Sequence, residues 1–203
     1  MFPALEMGTP DFDNIVHLFI IANSSCMAML YTNSMRTIIL PGFSVTNKEW
    51  AEEIKNNLDL TFPTSVYYWK HWESGKTEAQ WVENEANRII SDTQKEVNVI
   101  AKSIGTAVAM VILKLKPELI NKIILCGVPI YDLREEDSKY YDVLVNFPTD
   151  KILCIQNIDD THGSYEEVEK FLHSFNPNLK IISKPRSDHE YPYSEDFINF
   201  LKI

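Results

Sequence analysis

Glycine is scarce in this 203-residue chain, with only 6 present, about half the usual frequency. Four of them, Gly42, Gly105, Gly127 and Gly163, fall just after runs that read as strands. Cysteine is scarcer still: Cys26, Cys126 and Cys154 sit in apolar runs, with no CxxC or Cys/His cluster to bind zinc. They read as buried thiols in a reducing compartment. Positive charge is also short, 19 Lys and Arg against 29 Asp and Glu, for a formal charge of -10. That balance repels phosphate backbones and anionic headgroups, so neither nucleic acid nor a membrane surface is expected as a partner. Glu6, Asp11 and Asp13 precede the first apolar run, where a secretory signal needs positive charge. The longest apolar stretch, Val16 to Tyr31, is broken by Asn23, Ser24 and Ser25 and falls short of the roughly 20 residues that span a bilayer. A cytoplasmic location is expected.

What the chain does have is 45% hydrophobic residues, enough for one sizeable core and a single domain over residues 1–203. From Arg36 onward, short β-branched runs alternate with helical patterns. The runs are Thr37–Leu40, Ser65–Trp69, Val97–Ala101, Lys122–Cys126, Lys151–Gln156 and Lys180–Ser183. Each is continuously apolar, as in strands covered on both faces. Between them the apolar period changes from two to 3.6, predicting helices over Thr46–Leu58, Thr77–Lys95, Ile104–Leu115, Tyr165–Ser174 and Ser194–Ile203. The expected fold is a three-layer α/β structure, its central sheet mostly parallel with helices on both faces. Residues 1–35 read as N-terminal strands or a hairpin, with a helix as the alternative.

In such a sheet, sites form outside the carboxyl ends of the strands. There the stretch Ala101-Lys102-Ser103-Ile104-Gly105 joins an apolar strand directly to an apolar helix. A small residue, then x-Ser-x-Gly, is the pattern of a nucleophile elbow, whose tight turn needs small residues two before and two after the serine. A serine that merely N-caps the helix would fit the same five residues. Chain order favours the elbow. Asn157-Ile158-Asp159-Asp160 puts two carboxylates after one strand, and Arg186-Ser187-Asp188-His189 follows the last. A serine, an acid and a histidine therefore occur in the order this fold requires. His162 shares the loop of the acids, but two residues from Asp160 it is poorly placed to reach Ser103 with that acid supporting its ring. His189 is the better base. His17, His71 and His173 read as structural or solvated, and Lys102 as a solvated surface lysine.

On these residues the chain, from about 36 to 203, resembles small α/β-hydrolase-fold proteins, particularly short, lid-poor members close to dienelactone-hydrolase-like enzymes. The resemblance implies Asp160 rather than Asp159 as the acid, and the backbone amides of Phe43, in Leu40-Pro41-Gly42-Phe43-Ser44, and Ile104 as the oxyanion hole. It departs from the family pattern at Ala101, Pro41 and Asn157. The implied activity is cleavage of a small carboxylic ester or thioester by Ser103, His189 and Asp160, without cofactor or metal. About two dozen residues after Cys126, where larger relatives insert a lid, leave room for one short helix and an open, shallow site. Trp69, His71 and Trp72 suit either an acyl pocket or the aromatic core. Two alternatives are a silent binding or scaffold module of the same fold, and a flavodoxin-like nucleotide binder. The second lacks a phosphate-cradling glycine loop.

Overall fold

A computed structural model of the chain describes residues 35–202. The N-terminal strands or hairpin expected over residues 1–35, together with His17 and Cys26, fall outside the described residues or at their edge. Six strands are described: β1 Arg36–Leu40, β2 Thr64–Val66, β3 Val97–Lys102, β4 Ile120–Cys126, β5 Ile152–Asn157 and β6 Ile181–Lys184. They form one sheet in the order β2-β1-β3-β4-β5-β6. Every pairing among them is parallel.

Alternation along the strands divides the core into two layers. Ile38, Leu40, Val99, Ala101, Ile123 and Leu125 face one way, and Ile39, Ile100, Ile124 and Cys126 face the other. The first layer is covered by α3 (Trp81–Asp92), α4 (Gly105–Leu115) and α6 (Tyr165–Phe175), the second by α1 (Asn47–Asn57) and α7 (Ser194–Lys202). Helix α4 buries nine consecutive residues from Gly105 to Leu113. It is the central helix its all-round apolar sequence predicts. Both Cys126 and Cys154 are free, buried thiols, and burial pushes their pKa values up.

Two elements differ from the sequence expectation by more than two residues at an end. The strand expected over Ser65–Trp69 ends at Val66, because the chain turns there into the short helix α2 (Lys70–Ser74) and the Trp69 indole leaves the sheet to bond the Gly42 carbonyl at 3.0 Å. The helix expected from Thr77 starts at Trp81. Between β4 and β5 lie one four-residue helix, α5 (Glu135–Ser138), and two 3-10 turns, Lys139–Val145 and Thr149–Lys151. That fits the room for one short helix. No helix among the described residues is long and apolar enough to cross a membrane.

The chain reverses direction across the sheet once, since β1 is followed by β2 on one side and by β3 on the other. This switch point opens a crevice at the carboxyl ends of β1 and β3. The register keeps those ends level, Leu40 opposite Ala101 and Lys102 opposite Cys126.

The two leucines near the end of α4 separate core from surface. Leu113→Ala, at a fully buried position, is expected to cost about 2–5 kcal/mol in urea unfolding. Leu115→Ala, half exposed, should stay within about 0.5 kcal/mol. Equal losses would contradict this packing.

Candidate active site

Ser103 stands at the joint of β3 and α4 with φ +56°, the only positive φ of a non-glycine residue among the described residues. Such a conformation costs on the order of 1–3 kcal/mol and persists only where the surroundings impose it. Here its amide extends the sheet by bonding the Cys126 carbonyl at 3.0 Å, while its carbonyl accepts from the Thr106 amide at 2.9 Å and the Thr106 hydroxyl at 2.6 Å. With that hydroxyl proton committed, the buried Tyr141 hydroxyl donates to Thr106 Oγ1 at 2.5 Å. Gly105 is obligatory for a different reason. A Cβ there would lie 2.3 Å from the Leu40 carbonyl and 2.6 Å from that of Pro41, so only glycine lets α4 start against the end of β1. Ala101, in place of the usual elbow glycine, is fully buried in the sheet.

The structure brings Asp160 and His189 together. Asp160 is 3% exposed, and its carboxylate lies 2.7 and 2.9 Å from His189 Nδ1. A carboxylate only accepts, so Nδ1 carries the proton and Nε2 keeps its lone pair. The Tyr191 hydroxyl donates to the same carboxylate at 2.5 Å, and the His162 amide at 2.8 Å. Burial raises the Asp160 pKa, but the bonds from His189, Tyr191 and the His162 amide outweigh it and leave the group below its ordinary value. Gly127 makes room for both rings: its φ is +63°, and a Cβ would come within 2.5 Å of Tyr191 and 3.0 Å of His189. Asp159 is exposed and takes no part.

Ser103 and His189 line one cleft of about 940 Å³ with Phe43, Ile104, Trp81 and Pro129. That is roomy for the shallow site expected, and within the usual size of small-molecule sites. Ser103 and His189 are not hydrogen-bonded to each other, however. His189 Nε2 is buried without a hydrogen-bond partner among the described residues.

Neither the Ile104 amide nor the Phe43 amide donates to another described residue. The loop that carries Phe43 is held through its carbonyls. Trp69 Nε1 bonds the Gly42 oxygen at 3.0 Å, and His71 Nε2 and Trp72 Nε1 bond the Phe43 oxygen at 2.8 and 2.7 Å. Because a peptide is trans and planar, pinning the Gly42 carbonyl to Trp69 directs the Phe43 N–H the opposite way. Trp69, His71 and Trp72 thus brace this loop; the sequence left them between pocket and core.

Three further residues make contacts that the sequence did not announce. Asn157, the departure from the family's acid-loop glycine, donates to the carbonyls of Asp188 at 2.8 Å and Glu190 at 2.9 Å, one on each side of His189, and accepts from the Tyr193 hydroxyl at 2.6 Å. Its side chain clamps the base loop. His162 packs its ring on His189 at 4.1 Å between centroids and pairs with Asp132. Lys102 is buried rather than solvated, a correction of the sequence reading. A charged residue type and its place beside the nucleophile pointed to the surface; only the tertiary partners Asn47 and Glu190 explain its burial.

No family model matches the sequence, and no curated protein matches it. Solved structures do. A serine hydrolase without a lid, XC6422 from Xanthomonas campestris, superposes with a TM-score of 0.62 at 12% identity, covering 83% of this chain and 79% of that one. Alpha/beta hydrolase domain-containing protein 10 from mouse gives 0.62 at 12% identity, with 84% and 89% covered. Est1E from Butyrivibrio proteoclasticus, solved with ferulic acid bound, gives 0.60 at 15% identity, with 83% and 88% covered.

The Asp160 network predicts an acid limb of stability. With its folded pKa below the unfolded value, ionised Asp160 stabilises the fold above the ordinary carboxylate range, and the contribution is lost as pH falls through the folded pKa. The urea midpoints of wild type and Asp160→Asn should therefore converge as pH is lowered from about 5 to about 2. A gap that stays constant or widens would contradict the assignment.

Proposed function

We propose that this chain, which has the α/β-hydrolase fold, is a serine hydrolase acting on a small carboxylic ester or thioester. One observation carries the proposal: a strained serine at the strand–helix joint shares a cleft with a histidine whose far nitrogen is oriented by a buried carboxylate. This is the arrangement nucleophilic catalysis asks for, because a serine hydroxyl is a weak nucleophile until a base takes its proton.

The chemistry follows from the roles. Ser103 Oγ attacks the substrate carbonyl carbon while its proton passes to His189 Nε2. Asp160 keeps the ring in the Nδ1–H tautomer and stabilises the imidazolium. The carbonyl π pair moves onto oxygen, and the amides of Ile104 and Phe43, both without protein partners, donate to that oxyanion. One such donor is worth a factor of about 100 to 1000 in turnover. Collapse expels the alkoxide or thiolate, which takes the proton from His189, and leaves the acyl group on Ser103. Water then attacks the acyl-enzyme by the same proton route, releasing the carboxylic acid and restoring Ser103. No metal or cofactor enters any step. The cleft, partly walled by Phe43, Trp81 and Ile104, suits a substrate with an apolar acyl or alcohol portion.

A silent binding or scaffold module of the same fold is the second reading, and one observation favours it: His189 Nε2 makes no bond to Ser103. Looser contacts of this kind are common in ligand-free hydrolases and tighten when substrate binds, so turnover decides between the two.

The wild type is expected to form a fluorophosphonate adduct on Ser103 and to hydrolyse a short-chain nitrophenyl ester, and Ser103→Ala to lose both. His189→Ala and Asp160→Asn should each lower kcat by orders of magnitude. Asp159→Asn and His162→Ala should be mild, since the support His162 gives Asp160 comes from its backbone amide. Undiminished turnover in Ser103→Ala would assign the activity elsewhere; a wild type that neither labels nor turns over would favour the silent module.

A further inference from the structure

Lys102 is a buried charge with no part in the chemistry described above. It precedes the nucleophile directly, is 1% exposed, and lies with its ammonium 5.1 Å above the ring of Trp50. Its Nζ donates to Asn47 Oδ1 at 2.9 Å and to Glu190 Oε2 at 3.0 Å. Those two partners come from different segments. Asn47 opens α1 and donates back to the Ser44 carbonyl at 3.1 Å, in the loop that carries Phe43. Glu190 follows His189. One ammonium therefore joins the oxyanion loop, the nucleophile elbow and the base loop.

Stability does not account for this residue. Taking an ammonium out of water costs several kcal/mol, and a single carboxylate returns that only with very good geometry. The Glu190 side chain is 57% exposed, so its attraction is weakened by solvent. An unbranched apolar side chain such as Met would fill the same space beside Trp50 without that cost. What Met cannot do is hold two loops by directed bonds.

The base loop needs holding. Among the described residues His189 Nε2 has no hydrogen-bond partner, so the ring's reach toward Ser103 is set by its Nδ1 bond to Asp160 and by the backbone that carries it. Asn157 fixes that backbone from the side of β5 through the carbonyls of Asp188 and Glu190. A second tie, from Trp50 Nε1 to the Tyr191 carbonyl at 3.1 Å, reaches α1 rather than the elbow. The Lys102–Glu190 pair supplies the missing link, running from the residue before the nucleophile to the residue after the base.

We propose that Lys102 is a positioning residue, which through Glu190 and Asn47 keeps the base loop and the oxyanion loop in register with Ser103. The proposal rests on the serine-hydrolase reading. Lys102, Asn47 and Glu190 all belong to the lining of the cleft; with its ammonium committed to the other two, Lys102 acts through the placement of His189 and of the Phe43 amide, so its loss should appear in the chemical step rather than in substrate binding.

The test is a double-mutant cycle on the full chain, with Lys102→Met, Glu190→Ala and the double variant, read as kcat and KM for a short-chain nitrophenyl ester beside thermal unfolding. Each single variant should lose on the order of 10- to 100-fold in kcat, with KM nearly unchanged. Lys102→Met breaks the links to both Glu190 and Asn47 and Glu190→Ala only the first, so the double variant should lose little more than Lys102→Met alone. Glu190 is exposed and Asn47 still accepts from Lys102 in Glu190→Ala, so that variant carries the test if Lys102→Met does not fold. Wild-type kcat in Glu190→Ala, or a double loss equal to the product of the single ones, would overturn the proposal while leaving the hydrolase reading intact. A wild type without turnover would overturn the hydrolase reading instead, and the positioning role with it.

Discussion

The Asp160 carboxylate, shut away from water at the carboxyl edge of the sheet, organises the rest of the site. A buried carboxylate persists only when donors replace the lost solvent. Four do so here: His189 Nδ1, the Tyr191 hydroxyl, the His162 amide and, at a longer 3.5 Å, Gln156 Nε2. That requirement fixes the tautomer and plane of His189. It also seats Tyr191, which in turn accepts from the Asn157 amide at 3.2 Å. The rings fit only because residue 127 has no side chain. One electrostatic demand thus reaches from β4 to the loop after β6.

The elbow is a second constraint, of packing rather than charge. Helix α4 begins hard against the end of β1, which leaves Ser103 in a left-handed turn and Gly105 without room for a methyl group. The sheet ladder and Thr106 hold the strained residue from both sides. Rigid packing on one side and a polar network on the other meet across a cleft. Preorganisation of this kind matters because a displacement of about 1 Å in the reacting groups costs on the order of a hundredfold in rate.

The sequence made legible what depends on local pattern. Continuous apolar runs revealed a parallel sheet, and the order of Ser103, Asp160 and His189 along the chain predicted that they belong to one sheet edge, where the structure has them. Gly105 was readable as a tight-turn residue because its neighbours forbid anything larger. Long-range partners were not readable. Lys102 looks like any solvated lysine until Asn47 and Glu190, 55 positions before it and 88 after, fold against it. Asn157 looks like a lost glycine, and its grip on the base loop exists only once β5 and β6 pair. Trp69, His71 and Trp72 suited either an acyl pocket or the aromatic core, because aromatic residues fit both. Their hydrogen bonds to two loop carbonyls come from a turn that no apolar period announces.

The central claim is that Ser103 carries the acyl group during turnover. Mass spectrometry of peptides from protein acid-quenched while hydrolysing a short-chain nitrophenyl ester tests it most directly. An acyl mass on the peptide containing Ser103, absent from Ser103→Ala and from protein quenched after substrate is exhausted, is the predicted result. Turnover with that serine unmodified, or with the acyl mass on another residue, would contradict the account.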